Sequence, residues 1–257
     1  MIVRPTLAAL TMLVTVVLSA CTTSGGAGVI GSSAPAPTPP APIVYAAVGA
    51  SESVGLGATE PTRDSWPQVF FRTALPESTV LYNFGIPGAT VAQALNEELP
   101  EALSVQPTLI TVWLNINDII NGVGAQQYQD ELDQLVHSLR RGGAARVLVA
   151  NTPYLDRLPA YLDCRAGNPP AGVDCPSALA TTPPAALNAI VSAYNSAIAQ
   201  VAEREGAILV DLHAQGEVPD IHPDWVSNDG FHPSTAGYAA IAGAFASMLK
   251  QATKSGA

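Results

Sequence analysis

The chain has 257 residues, 48% of them hydrophobic and 12% charged, enough apolar material to fill one sizeable core. Its 21 acidic against 11 basic residues give a net charge of -10. That balance argues against a phosphate-backbone ligand, whose binding rests on Lys and Arg, so no nucleic-acid partner is expected.

The N-terminus carries a single charge, Arg4, ahead of an apolar run from Leu7 to Ala20. The run is shorter than the ~20 residues that span a bilayer, so it reads as a targeting segment. Leu18-Ser19-Ala20-Cys21 resembles the bacterial lipobox, in which the cysteine becomes the lipidated first residue of the mature protein. This divides the chain into a lipoprotein signal peptide (1–20), a lipidated Cys21 with a tether (21–42) and a folded domain (43–257). The expected location is then exported and lipid-anchored at the cell membrane or envelope. An ordinary secretory peptide cleaved nearby is the other reading. Residues 22–42 hold no charge and no aromatic side chain and are rich in Gly, Ser and Pro, so they lack the apolar surface to fold. With Cys21 assigned to lipid, export favours pairing Cys164 with Cys175, which closes a short loop worth about 3 kcal/mol. Zinc is less favoured, since two cysteines need two further ligands and no histidine lies nearby.

From Ile43 onward, short apolar runs alternate with segments of helical spacing. The predicted strands are 43–49, 79–84, 108–115, 146–151 and 207–212; the predicted helices are 65–75, 90–103, 125–141, 184–205 and 234–251. In 125–141, Tyr128, Leu132, Leu135, Val136 and Leu139 share one face, as an amphipathic helix requires. Five strands separated by helices imply a parallel sheet covered on both faces, with ligands at the carboxyl edge of the strands. The segment 152–183 reads as one long irregular connection that could shape a pocket.

The first strand breaks into Gly49-Ala50-Ser51-Glu52-Ser53, and a serine nucleophile there needs a base, usually a histidine held by an acceptor. Of the four histidines, His137 falls within a predicted surface helix, His213 follows a strand, and His222 stands in a proline-flanked turn. His232 follows Asp229 by three residues, a spacing that lets a carboxylate hold Nδ1–H in a tight turn, just before a helix that Ser234 or Thr235 could cap. Two other strand ends carry compatible parts. Asn83, Gly85 and Gly88 lead to a helix with Thr90 as its cap, and Asn115, Asn117 and Asp118 follow the third strand. Glycine N–H groups and a side-chain amide are suitable donors to an oxyanion.

In these blocks the sequence resembles the SGNH, or GDSL-like, hydrolase family, from about Ile43 to Leu249. The resemblance implies a three-layer α/β/α sandwich with a five-stranded parallel, flavodoxin-like sheet. It places the nucleophile on Ser51 and the base and acid on His232 and Asp229. The oxyanion donors fall on Ser51, Gly88 and Asn117, with Asn83 opening the Asn-x-x-x-x-Gly block. It implies no cofactor and no metal, a monomer, and as substrate a small-molecule, lipid or glycan ester; the lipobox adds contact with the membrane through the N-terminal lipid anchor. Two departures stand out: Ala50 replaces the usual Asp, and Asn115 replaces the usual Gly.

Two alternatives remain at this stage. One is a non-catalytic lipoprotein that binds an envelope ligand on the same fold. The other is a metal hydrolase built on His222, Asp224, Asp229 and His232. Trp66, Phe70, Phe71 and Trp113 read as packing; Trp225, Phe231, Tyr154 and Tyr161 divide between packing and pocket lining; Ser53 reads as a local hydrogen-bonding residue.

Overall fold

The computed structural model describes residues 42–169, 175–176, 180–215 and 222–255. The expected signal peptide, Cys21 and nearly all of the tether lie outside the described residues. Strands β1 (Val44–Gly49), β2 (Val80–Asn83), β3 (Leu109–Trp113), β4 (Arg146–Ala150) and β5 (Ile208–Val210) form one sheet in the order β2-β1-β3-β4-β5. Every neighbouring pair is parallel. This is the flavodoxin-like order, in which the strand sequence reverses between β1 and β3 and opens a crevice at their carboxyl ends.

The helices are α1 (Ser51–Val54), α2 (Pro61–Asp64) and α3 (Trp66–Ala74) after β1, and α4 (Val91–Asn96) and α5 (Glu98–Ser104) after β2. After β3 come α6 (Ile116–Ile120) and α7 (Ala125–Arg140); after β4, α8 (Pro159–Ala166) and α9 (Pro184–Glu205); last, α10 (Thr235–Ser255).

Strand side chains alternate between two cores. Ala46 and Val48 of β1, Ile110 and Val112 of β3, and Val147 and Val149 of β4 join Leu132, Leu135 and Tyr194 of α7 and α9. Tyr45, Ala47, Trp113, Leu148 and Ala150 turn the other way, to Trp66, Phe70 and Phe245 of α3 and α10. This period of two within continuously apolar strands is what a sheet covered on both faces requires. The Trp66 and Phe245 rings stack at 4.2 Å, as do Tyr128 and Tyr194 on the opposite side. Such aromatic pairs contribute about 0.5–1.5 kcal/mol beyond their buried area, and they fix α10 and α9 against their neighbours.

Two departures from the predicted elements have local causes. The helix expected over 90–103 breaks at Glu97 and restarts as α5, because Pro100 cannot donate to the Asn96 carbonyl and its ring would clash there. The connection expected to be irregular over 152–183 contains α8, opened by Pro159 at its first position and closed by Gly167 in the left-handed region (φ 74°). Within α8, Cys164 is disulfide-bonded to Cys175, the pairing expected from the sequence.

Candidate active site

The end of β1 sets the position of the serine. Ser51 is the first residue of α1, so its N–H has no intrahelical acceptor. The turn needs a residue without a side chain at 49, since a Cβ there would fall 2.1 Å from Ser53 Oγ.

At the far end of the chain, Val226 and Pro233 pair as an antiparallel bridge, and Ser227 N–H donates to the His232 carbonyl (2.9 Å). The residues between them form a tight loop. Ser234 Oγ accepts from Gly237 N–H (3.2 Å) and caps α10, which follows directly. The loop brings Asp229 Oδ2 to 2.7 Å from His232 Nδ1, and His232 Nε2 to 3.0 Å from Ser51 Oγ. The other Asp229 oxygen accepts from Ser227 Oγ (2.7 Å), Phe231 N–H (2.8 Å) and His232 N–H (2.9 Å). Burial works against the charged form of Asp229. The hydrogen bonds from His232, Phe231 and Ser227 nevertheless hold its carboxyl well below the usual carboxylate range. Asp229 is therefore ionised throughout the neutral range and fixes both the tautomer and the tilt of the imidazole.

The candidate oxyanion donors converge from two further strand ends. Gly88 has φ 84°, a left-handed conformation that glycine adopts without strain, and a Cβ there would meet nothing within 4 Å. Glycine is thus needed here for backbone conformation, and the space above it is open. Thr90 caps α4 by accepting from Gln93 N–H (3.3 Å), and Asp118 accepts from Val91 N–H with both oxygens (3.2 and 3.3 Å). Burial pushes the Asp118 carboxyl up to about 7. Asn117 Nδ2 donates one hydrogen to the Ala89 carbonyl (3.0 Å), which pins its amide beside the Gly88 loop and leaves the second hydrogen for a ligand. Asn83 clamps the same region, donating to the Ser53 carbonyl (2.6 Å) and accepting from Gly85 N–H (3.1 Å).

Ser53 departs from its expected part: its hydroxyl is buried without a hydrogen-bond partner, and only its backbone joins the network. His222 stacks on Trp225 at 4.0 Å, and among the described residues no group of three His, Cys, Asp or Glu side chains is arranged to hold a metal ion.

Two buried carboxyls at this edge carry no motif of their own. Glu98 Oε2 accepts from Gly49 N–H at 2.8 Å, and burial raises the Glu98 carboxyl to about 8. A legible signal exists for it, because Glu98 and Ala102 lie one turn apart on the buried face of α5. Glu52 Oε2 lies 3.3 Å from Ser51 Oγ. Beside it opens a pocket of about 100 Å³ with largely apolar walls, including Leu155, Leu158, Leu212, Phe231 and Ile241. Trp225 and Tyr154 also line this pocket, whereas Tyr161 belongs to the core.

Residues 47–240 match the sequence profile of the GDSL-like lipase/acylhydrolase family. The chain belongs to this family. Membership makes it a hydrolase with acyl-ester chemistry in the broad sense. No curated protein matches the chain in sequence. Among solved structures, a lipase/acylhydrolase from Enterococcus faecalis is 17% identical, with a TM-score of 0.59 over 81% of this chain and 96% of its own. The psychrotrophic esterase EstA from Pseudoalteromonas sp., in a structure inhibited by monoethylphosphonate, is 18% identical with a TM-score of 0.58, covering 82% and 99%. A member of the lipolytic G-D-S-L family from Veillonella parvula is 16% identical with a TM-score of 0.56, covering 78% and 94%. Likenesses at these identities speak for the fold. The family's name spells Gly-Asp-Ser-Leu, whereas this GDSL-like chain reads Gly49-Ala50-Ser51-Glu52. Glu52 is thus a third departure, beside Ala50 and Asn115.

Proposed function

We propose that the protein is a serine ester hydrolase that cleaves carboxylic esters in two steps, tethered to the cell envelope through a lipidated Cys21. The continuous hydrogen-bonded chain from Asp229 through His232 to Ser51 carries this reading. Ser51 Oγ attacks the ester carbonyl as His232 Nε2 takes its proton, and Asp229 stabilises the resulting imidazolium. The Ser51 and Gly88 N–H groups and the Asn117 amide bind the oxyanion. His232 then returns the proton to the departing alkoxide. Water repeats the sequence on the acyl-enzyme and frees the acid.

The pocket lined by Glu52, the neighbour of Ser51, is on the scale of a cavity of about 150 Å³ that takes benzene, which favours a short acyl chain. Among the described residues no helix is long and apolar enough to cross a membrane, so on this reading attachment rests on Cys21.

Purified protein should hydrolyse p-nitrophenyl butyrate and label once with a phosphonate. Ser51→Ala should lose both properties, and turnover that survives this substitution would remove Ser51 as nucleophile. In a bacterial host, Cys21→Ala should move the protein from the detergent-requiring membrane fraction to the soluble one.

A further inference from the structure

Two of the three departures from the family pattern introduce polar side chains, and both line the same pocket. Glu52 stands where the family name has leucine, and Asn115 where the resemblance expects glycine. Gly49 of β1 is in register with Trp113 of β3 at the last pair of that ladder, and Glu52 and Asn115 follow within three residues on the two chains and line one pocket. Asn115 is 4% exposed, and its amide nitrogen makes no hydrogen bond. Glu52 is 6% exposed, with one oxygen 3.3 Å from the Ser51 hydroxyl.

A buried donor left unpaired costs about 1–3 kcal/mol, and a buried carboxyl in apolar surroundings is also costly. An acyl pocket meant only for hydrocarbon would carry neither group. The pocket is therefore polar where Glu52 and Asn115 line it and largely apolar elsewhere.

We propose that Glu52 and Asn115 together bind an oxygen substituent, a hydroxyl in the simplest case, carried on the acyl chain close to the scissile carbonyl. This rests on the esterase reading above and names the acyl class that it would prefer, the short 3-hydroxyacyl esters. The geometry suits a hydroxyl because such a group accepts one hydrogen bond and donates another. The Asn115 amide and the Glu52 carboxyl between them offer both a donor and acceptors. Burial raises the pKa of Glu52, against the pull of its own backbone N–H and the neighbouring His232 and Ser51, with the Tyr238 hydroxyl also close by. Burial thus works against a full negative charge beside the developing oxyanion. Once Ser51 Oγ is bonded to the acyl carbon, the first carbons of a chain entering the pocket pass Glu52.

The test compares kcat/KM for p-nitrophenyl butyrate with that for each enantiomer of p-nitrophenyl 3-hydroxybutyrate, corrected for spontaneous hydrolysis. The full-length protein should prefer one hydroxylated enantiomer by about tenfold, the worth of one or two net hydrogen bonds. Glu52→Leu and Asn115→Gly, which restore the family residues, should each bring that ratio close to one. Glu52→Gln should keep part of the preference. Thermal melts and phosphonate labelling of Ser51 establish that each variant is folded with its site intact. A ratio near one in the unmodified protein overturns the proposal. So does a ratio that survives both family-type substitutions, or an equal slowing of all three esters, which would make Glu52 a positioning residue for Ser51. If the unmodified protein hydrolyses none of them and its serine resists the phosphonate, the esterase reading itself fails.

Discussion

Glu98 offers the sharpest test of how the nucleophile turn is held. Its carboxyl is 1% exposed and accepts the Gly49 N–H with one oxygen, while the other has no partner. Burial, opposed by that N–H bond and reinforced by neighbouring Glu97, moves it from an ordinary 4.5 up to about 8. The folded state therefore holds a proton that the unfolded state has lost between these two values. By linkage, the contribution of Glu98 to stability is complete below pH 4.5 and drains away as the pH rises to about 8. At about 1.4 kcal/mol per pH unit the whole window amounts to about 5 kcal/mol, a large share of the 5–15 kcal/mol of a typical domain. Glu98→Gln retains an acceptor for Gly49 but cannot ionise. Urea unfolding at pH 5, 6, 7 and 8, followed by tryptophan fluorescence, gives ΔG for both proteins. The unmodified protein should lose about 2 kcal/mol more than Glu98→Gln between pH 5 and 7. The buried amide nitrogen introduced by the substitution adds only an offset independent of pH. Asp118, raised to about 7, contributes the same decline to both proteins and cancels. Starting at pH 5 keeps the range above the point where Asp229, whose carboxyl lies far below the usual value, would lose its own stabilising charge. Parallel curves for the two proteins would refute the reasoning.

Asn117→Ala should lower kcat by about 10²- to 10³-fold with little change in KM, because its free amide hydrogen acts only once the oxyanion forms; steady-state kinetics on butyrate esters checks this. Reducing the Cys164–Cys175 bond, which closes a loop of sequence separation 11, should cost about 3 kcal/mol, or about 6–12 °C in Tm for a domain of this size. Calorimetric scans with and without reductant read that shift, and an unchanged Tm would mean that the loop opens before the fold does.

Much of the fold was legible because its strands are buried on both faces and so appear as short apolar runs, while α7 and α9 repeat at helical spacing. Elements set by one residue were harder to read. The break before α5 depends on Pro100, and α8 hides in a Pro- and Gly-rich stretch whose start and stop residues also suit a loop. At the candidate site, the meeting of Ser51, His232 and Asp229 was accessible to chemical reasoning, because a proposed nucleophile needs a base and the base an acceptor. Glu52 was not, since a glutamate beside a strand end reads as a solvated charge until the fold buries it against the pocket. Ser53 misled for the converse reason: a serine in a turn suggests a hydrogen bond, yet the packing around Gly49 buries its hydroxyl without one.

The loss of the family's aspartate at position 50 can now be connected with what replaces it. Ala50 is the N-cap residue of α1 and makes no side-chain cap hydrogen bond; it is buried instead, in the core cluster that includes Ala89 and Val91. A carboxylate there would be costly without partners of its own. The turn is held from outside by three groups. Glu98 grips Gly49 N–H, Ile86 N–H donates to the Gly49 carbonyl (3.0 Å), and Asn83 Nδ2 donates to the Ser53 carbonyl. They arrive from α5, the loop after β2 and β2 itself, so the turn is fixed at both its ends, while Ser51 between them accepts from Gly55 and Leu56 N–H through its carbonyl and turns its hydroxyl to His232 and Glu52. On the proposed reading of Ser51 as nucleophile, a turn fastened at both flanks can dispense with a carboxylate beside it. That freedom leaves position 50 for packing and lets the acid one residue past Ser51 face the pocket.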